Sequence, residues 1–451
     1  MPSSTIRPMT SHWLPIIAGL VSLACSGMAQ GADGPRVDGE RIERHIAELS
    51  AFGRNAAGGV DRVAYSQADI DAREYIRGLM EEAGLEVRMD TAGNIIGRRE
   101  GTASKKPLMI GSHIDSVPGG GNYDGDVGVI GAIEVARALN AAGAKLQHPL
   151  EVVVFADEEG GLTGSRAMVG KLTPQAMEVR THSGLSVAEG IARIGGDPER
   201  IDEAALAQCD LTAFVELHIE QGAVLYDQGI DIGVVTGIVG IRWWDVVIDG
   251  IANHAGTTPM DKRRDPMLAS AEFILAVNRV IREHEGTQVG TVGRISAEPG
   301  APNVIPDKVT LSLEIRDLSA DKMQTLFDAI RVEAQEIAKQ HKTPVEFREL
   351  DVASPPAPTD PRLQDVIEES AEQLGLSVLR MPSGAGHDAQ DLARIVPTGM
   401  LFVPSVKGIS HAPQEFTTPE DMANGAAVLL QTVLALDANP PECKVKADEG
   451  G

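Results

Sequence analysis

The sequence predicts an α/β protein: a main domain built on a parallel sheet with helices on its faces, interrupted by a smaller α+β insertion. Up to residue 231, short wholly apolar runs alternate with helix-period segments, as expected of strands buried on both faces and covered by helices. From 232 to 344 the pattern changes to strand-like segments around two long amphipathic helices. After Asp351 the mixed pattern resumes, so the main domain is read as discontinuous, 36–231 and 345–437, with 232–344 inserted in it. A chain of 451 residues also exceeds the size at which a single core usually stops growing.

Each element has its own signal. Ile70, Ile76, Leu79 and Met80 recur on one helical face, and Gly84 ends that pattern as a cap would. "PLMIGSHIDSV" reads as a buried strand running into a loop, "GVIGAIEVARALNAAGA" as a helix and "LEVVVFADEE" as a second buried strand. In the insertion, "IGVVTGIVGIRWWDVVIDG" is strand-like and "DPMLASAEFILAVNRVIREHE" is an amphipathic helix. "TVGRIS" and "KVTLSLEIRD" are strands, "ADKMQTLFDAIRVEAQEIAKQHK" is a second helix, and "PVEFREL" closes the set. That order suits a small sheet with two helices on one face. The linker "ASPPAPTDP" then leads to the helix "RLQDVIEESAEQLG", the strand "GMLFVPS" and a last helix from near Thr418.

Composition narrows the function classes. A formal charge of −25 argues against a nucleic-acid partner, which needs a basic stripe. Arg7, an apolar run from Trp13 to Cys25 and the small residues after it read as a secretory signal over residues 1–30. The run is too short to span a bilayer, so the mature chain is expected to be exported, to the periplasm, with no membrane-spanning segment. Leu23 and Ala24 before Cys25 leave a lipid anchor open. Cys209 and Cys443 lie far apart without metal-type spacing; export permits a disulfide between them but does not demand one.

Five sites place a possible metal ligand just after a buried strand, where open α/β sheets bind ligands. They are His113, Asp115 and Asp124 in "GSHIDSVPGGGNYDG"; Asp157, Glu158 and Glu159 in "FADEEGG"; His218 in "VELHIEQG"; His387 in "SGAGHDAQD"; and His411 in "GISHAPQEFT". Singly each has a plain structural reading: a hydrogen-bonded histidine, a surface acid pair, a loop-forming aspartate. Together they put carboxylates at the mouths of core strands, where an unpaired charge is costly and a cation compensates it. Histidine and carboxylate without cysteine match Zn2+, with Mn2+ or Co2+ as alternatives.

"GSHIDSVPGGGNYDG", "DEEG", "LHIEQG", "HAGTTPM", "PNVIPD", "SGAGHDA" and "GISHAPQEFT" together resemble the hydantoinase/carbamoylase branch of the M20 metallopeptidase-like hydrolases. That branch comprises N-carbamoyl-L-amino acid hydrolases, allantoate amidohydrolases and β-ureidopropionases. The resemblance runs from about residue 40 to 437 in the branch's order and spacing. It implies an α/β, mixed-sheet di-metal aminopeptidase-like catalytic domain carrying an inserted ferredoxin-like α+β lid and dimerisation domain, hence a homodimer. It also implies two divalent ions per subunit, Zn2+ first, with Mn2+, Co2+ or Ni2+ possible.

Carried over by residue, the resemblance makes Asp124 the bridging ligand, with His113 and His218 on one ion and Glu159 and His411 on the other. Asp115 would hydrogen-bond the far nitrogen of His113. Glu158 would be the general base, taking a proton from a metal-bridging water and passing it to the departing nitrogen. His254 would bind the oxyanion or substrate, Asn303 and Arg316 the substrate carboxylate, and Gln221 and His387 would make further substrate contacts. An ion pair with Asp317 or Glu314 is the competing reading of Arg316. Many relatives follow the acid pair closely with "GSRF", where this chain has "EEGGLTGSRAMVGKL", which puts substrate identity in question more than mechanism.

The expected function is a metal-dependent amidohydrolase acting on a small ureido or amide carboxylate. N-carbamoyl-L-amino acids are the first choice of substrate, giving amino acid, ammonia and CO2. Allantoate and N-carbamoyl-β-alanine stay open, as does an M20-type exopeptidase or deacylase. A non-catalytic exported binding protein for small carboxylates is the reading from another class.

Overall fold

The apolar runs form the middle of a nine-stranded sheet in a computed structural model that describes residues 34–103, 105–350 and 354–443. Leu108–His113 lies between Leu150–Phe155 and Ala213–Ile219, parallel to both, and Thr398–Val403 runs parallel on the far side of Ala213–Ile219. All four strands are buried along their whole length. The antiparallel strands Ile95–Arg99 and Glu86–Met89 extend one side. Ile232–Ile238 continues the other, with Val378–Ser383 and Ala357–Pro358 paired to it.

Helices cover both faces because both are apolar. Asp126–Ala141, Pro419–Ala438 and Gly39–Leu49 pack on one face through residues such as Val129, Ile133, Leu217 and Leu429. Phe155, Phe214, Met400 and Phe402 fill a second cluster with Leu392 of the short helix Asp388–Leu392. Since the parallel strands share one direction, residues 113, 155, 219 and 403 end at one edge of the sheet. The ligand-bearing loops leave from that edge.

The insertion has its own sheet and core. Gly240–Asp249 pairs antiparallel with Lys308–Asp317 along its full length and with Val345–Glu349 on its other side. Val289–Thr291 and Ile295–Glu298 pair with the outer side of Lys308–Asp317. The helices Pro266–Glu283 and Ala320–His341 pack on this sheet around Trp244, Phe273, Leu313, Leu326 and Ile330. Strand, helix, strand, strand, helix, strand in an antiparallel sheet is the ferredoxin-like order. Asp265 caps the first helix by accepting from the N–H groups of Met267 and Leu268, and Pro266 occupies the first turn, where its missing N–H costs nothing.

The chain changes sheets at Val239, not at Ile232. Ile232–Ile238 is buried on both faces and belongs to the main sheet, whereas Val345–Glu349, half exposed, belongs to the insertion. The antiparallel body of the insertion therefore spans Gly240–Glu349 rather than 232–344.

Two ties hold the main domain. The buried Arg62 donates to the carbonyls of Ile114, Leu49 and Phe52 and to the Asp126 carboxylate, fastening the 114–126 loop to the first helix. A disulfide joins Cys209 to Cys443. The signal read over residues 1–30, with Cys25, lies outside the described residues. No helix among the described residues is long and apolar enough to cross a membrane.

Candidate metal centre and active site

The four parallel strands and the loops that leave their ends carry the ligands. His113 is the last residue of its strand, and its Nδ1 lies 3.0 Å from the Asp115 carbonyl. His218 places Nδ1 2.9 Å from the Ile219 carbonyl. With those protons fixed on Nδ1, both rings turn Nε2 inward, 3.5 Å apart. Asp124 lies against them, its Oδ1 3.0 Å from His218 Nε2 and 3.7 Å from His113 Nε2. Its other oxygen, Oδ2, lies 3.1 Å from His411 Nε2, which is 3.4 Å from Glu159 Oε1. Two donor sets thus share Asp124: His113, Asp124 and His218 on one side, and Asp124, Glu159 and His411 on the other.

Local backbone makes this closeness possible. Gly125, at φ +68°, sits over the His113 ring, where a Cβ would meet Cε1 at 2.5 Å. Asp157, Gln221 and His411 adopt positive φ without being glycine, a cost that clusters at functional sites.

The electrostatics show what the donors lack. Burial lowers the His113 imidazole to about 4. Burial alone would also lower His218, but the hydrogen bond and charge of Asp124 raise it to about 9. His411 rises to about 9, chiefly through its hydrogen bond to Asp124. Burial pushes Asp124 up, yet the three surrounding imidazoles hold it well below the usual carboxylate range. Burial and the Asp124 charge push Glu159 up to about 8. Raised His218, His411 and Glu159 around an ionised Asp124 make a donor set that divalent cations would satisfy at the same oxygens and nitrogens, which fits a pair of borderline metals.

Glu158 is buried, with Oε2 3.8 Å from His113 Nε2. Burial, with Asp388 and Glu159 as like charges, pushes its carboxyl well above the usual range. Asp115 departs from its expected part. The Asp115 carbonyl takes His113 Nδ1, while its carboxylate, 3.8 Å from that nitrogen, accepts the N–H groups of Glu158 and Glu159 at 3.1 Å each. It orients the acid pair more directly than the imidazole.

Gln221 reaches the centre: its Nε2 donates to Asp124 Oδ2 at 2.7 Å and lies 3.2 Å from His411 Nε2. His387 packs edge-on against His218, ring centroids 4.4 Å apart, and its Nε2 lies 2.9 Å from Ser383 Oγ. Its buried Nδ1 has no hydrogen-bond partner among the described residues. His254 and Asn303 meet on the insertion, where Asn253–His254 pairs with Val304–Ile305 and Ala255 N–H donates to the Asn303 carbonyl. His254 Nδ1 accepts from the N–H groups of Gly256 and Thr257, at 2.9 and 3.2 Å, which leaves Nε2–H as the exposed donor. No hydrogen bond among the described residues joins either residue to the ligand cluster.

Arg316 is already engaged. Its guanidinium holds Glu314 at 2.8 and 3.2 Å and donates Nη1 to the Gly384 carbonyl at 2.9 Å. The ion pair that competed with a substrate role is present, with Glu314 as partner. Sequence reasoning also passed over Glu415, which lies inside the quoted "GISHAPQEFT" and whose carboxylate touches both ligand loops.

Comparison with known proteins places this geometry. The sequence model of peptidase family M20/M25/M40 matches residues 109–435. The chain is 43% identical to an N-carbamoyl-L-amino acid amidohydrolase of Geobacillus stearothermophilus over 406 residues, covering 89% of this chain and 99% of that one. It is 40% identical to a ureidoglycolate hydrolase of Arabidopsis thaliana, covering 89% and 87%. The crystal structure of a hydantoinase/carbamoylase family amidase from Burkholderia multivorans superimposes with a TM-score of 0.83 at 35% identity, covering 90% of this chain and 100% of that one. The chain therefore belongs to the M20/M25/M40 peptidase family, in its hydantoinase/carbamoylase branch, and is a hydrolase of carbon–nitrogen bonds in linear substrates.

Proposed function

We propose that the protein hydrolyses N-carbamoyl-L-amino acids to the amino acid, ammonia and CO2, with two divalent ions, Zn2+ first, and Glu158 as general base. The observation that carries this reading is the pair of donor sets sharing Asp124, with a buried, unligated Glu158 beside them. Bound divalent ions supply Lewis acidity to the carbonyl and acidify water.

The chain's own groups do the rest. Glu158 accepts the proton of the attacking water and returns it to the departing nitrogen; a carboxyl raised by burial suits both halves of that transfer. Asp115 holds the backbone of both acids. His254 offers Nε2–H to the developing oxyanion once the insertion covers the substrate. Asn303, Gln221 and His387 would contact the substrate, and Arg316 would anchor its carboxylate by exchanging the ion pair it now makes with Glu314.

Export fits the Cys209–Cys443 disulfide, a bond kept mainly in oxidising compartments. A homodimer through the insertion fits exposed Leu268 and Leu275 on one helix, with Val289 and Ile295 on the outer strands.

The test is ammonia release by metal-loaded protein across N-carbamoyl-L-amino acids, N-carbamoyl-β-alanine, allantoate and ureidoglycolate, with a chelated control. Chelator-sensitive release from the first class supports the reading. Release only from another class overturns the substrate and keeps the chemistry. Binding without turnover overturns catalysis altogether.

A further inference from the structure

We propose that Glu415 is the positioning residue that sets the spacing of the two ligand loops, so that the ion held by Asp124, Glu159 and His411 depends on it. This inference rests on the two-metal reading above. Glu415 is buried, and its carboxylate makes four hydrogen bonds. Oε1 accepts the N–H groups of Tyr123 and Asp124 at 2.9 and 3.0 Å. Oε2 accepts Ser410 Oγ at 2.7 Å and the N–H of His411 at 3.2 Å. One side chain thus ties the backbone of the bridging ligand to that of His411, although Tyr123 and Glu415 are 292 positions apart in sequence.

The pocket is cut to this carboxylate. A Cβ on Gly121 would lie 2.1 Å from Glu415 Oε1, so the absence of a side chain there is what admits it. The geometry also calls for an acceptor at every corner, because all four contacts are donors. A carboxylate meets that need and an amide does not: the NH2 of a glutamine would face donors at one end. His411 holds a left-handed backbone, φ +54°, and its N–H has this carboxylate as its acceptor. Glu415 does not reach the metal-facing atoms of Asp124 or His411. It acts through their main chain, as outer carboxylates act on metal ligands generally.

The experiment uses the full-length protein, Glu415→Gln and Gly121→Ala. Zn2+ retained after dialysis is counted by elemental analysis, and each bound ion is then titrated against a chromogenic chelator. Thermal melting of the metal-free forms runs alongside. The wild type should hold two ions. In Glu415→Gln one ion should be lost about 10- to 100-fold more readily than in the wild type, while the other keeps its affinity. Gly121→Ala keeps the Glu415 carboxylate but displaces it, and should give the same selective loss. A merely structural role would lower the melting temperature of both variants and leave the ratio of the two affinities unchanged, which overturns the proposal. A wild type holding fewer than two ions would instead overturn the two-metal reading.

Discussion

Metal uptake should be accompanied by a counted release of protons. In the metal-free protein Glu159 titrates at about 8 and His218 and His411 at about 9, while His113 has fallen to about 4 and Asp124 stays ionised. At pH 7 the first three are almost fully protonated, and each must lose its proton to bind a cation. Filling both positions at pH 7 therefore frees about three protons from the ligands, falling to about one at pH 9. Affinity must rise with pH over that window, because protons compete with the metal. The assay is calorimetric titration of metal-free protein with Zn2+ in buffers of different ionisation enthalpy, where the buffer dependence reads the proton count. Glu159→Gln removes one of these protons, so its count at pH 7 should drop to about two. A count near zero between pH 6 and 9 would refute the reasoning, since it would mean that the ligand set is not held together by protons when the metal is absent.

The same shifts predict the pH dependence of metal-free stability. All three groups have folded pKa values above their unfolded ones, so the folded state holds the extra protons and their contribution is lost as pH rises. The melting temperature of the metal-free form should fall from pH 7 to 9, and that of the loaded form should fall less. Arg62→Met removes one partner of a fully buried ion pair and the donor to three backbone carbonyls; denaturant unfolding should show a loss of about 3–5 kcal/mol. Cys443→Ser opens a link spanning 234 residues and should cost about 5 kcal/mol by the entropy of the released loop. Glu158→Gln should reduce turnover by about 10²- to 10⁴-fold while both ions stay bound; metal loss in this variant would show that its part has been confused with that of Glu159.

What could be read from the sequence follows from how locally each feature is encoded. The central strands are legible because burial on both faces removes every polar residue from Leu150–Phe155 except Glu151, and the ligands are legible because polarity returns abruptly where the strand ends. The contacts that refine the site are not local. "His-x-Asp" does not tell whether the carbonyl or the carboxylate of Asp115 meets the imidazole; the loop geometry decides for the carbonyl. The shift between sheets at Val239 is hidden because strands on either side of it use the same β-branched residues. "TVGRIS" reads as one strand, yet it divides into the end of Val289–Thr291 and the start of Ile295–Glu298. Glu415 and the Cys209–Cys443 pairing join segments hundreds of residues apart, so nothing in their neighbourhoods announces the partner.

The place of Thr398–Val403 has a consequence for how the molecule comes into being. It separates Ala213–Ile219 from Ile232–Ile238, strands that lie far ahead of it in the chain. A nascent chain folding from its N-terminus can build the left flank of the sheet and, with its separate core, the insertion. It cannot close the seam between them until the final helix is about to emerge. His411 and Glu415 follow directly behind that seam strand. Completion of the centre thereby waits for the C-terminal part of the chain, and a prematurely terminated product would carry His113, Asp124, Glu159 and His218 without the His411 that completes the second position.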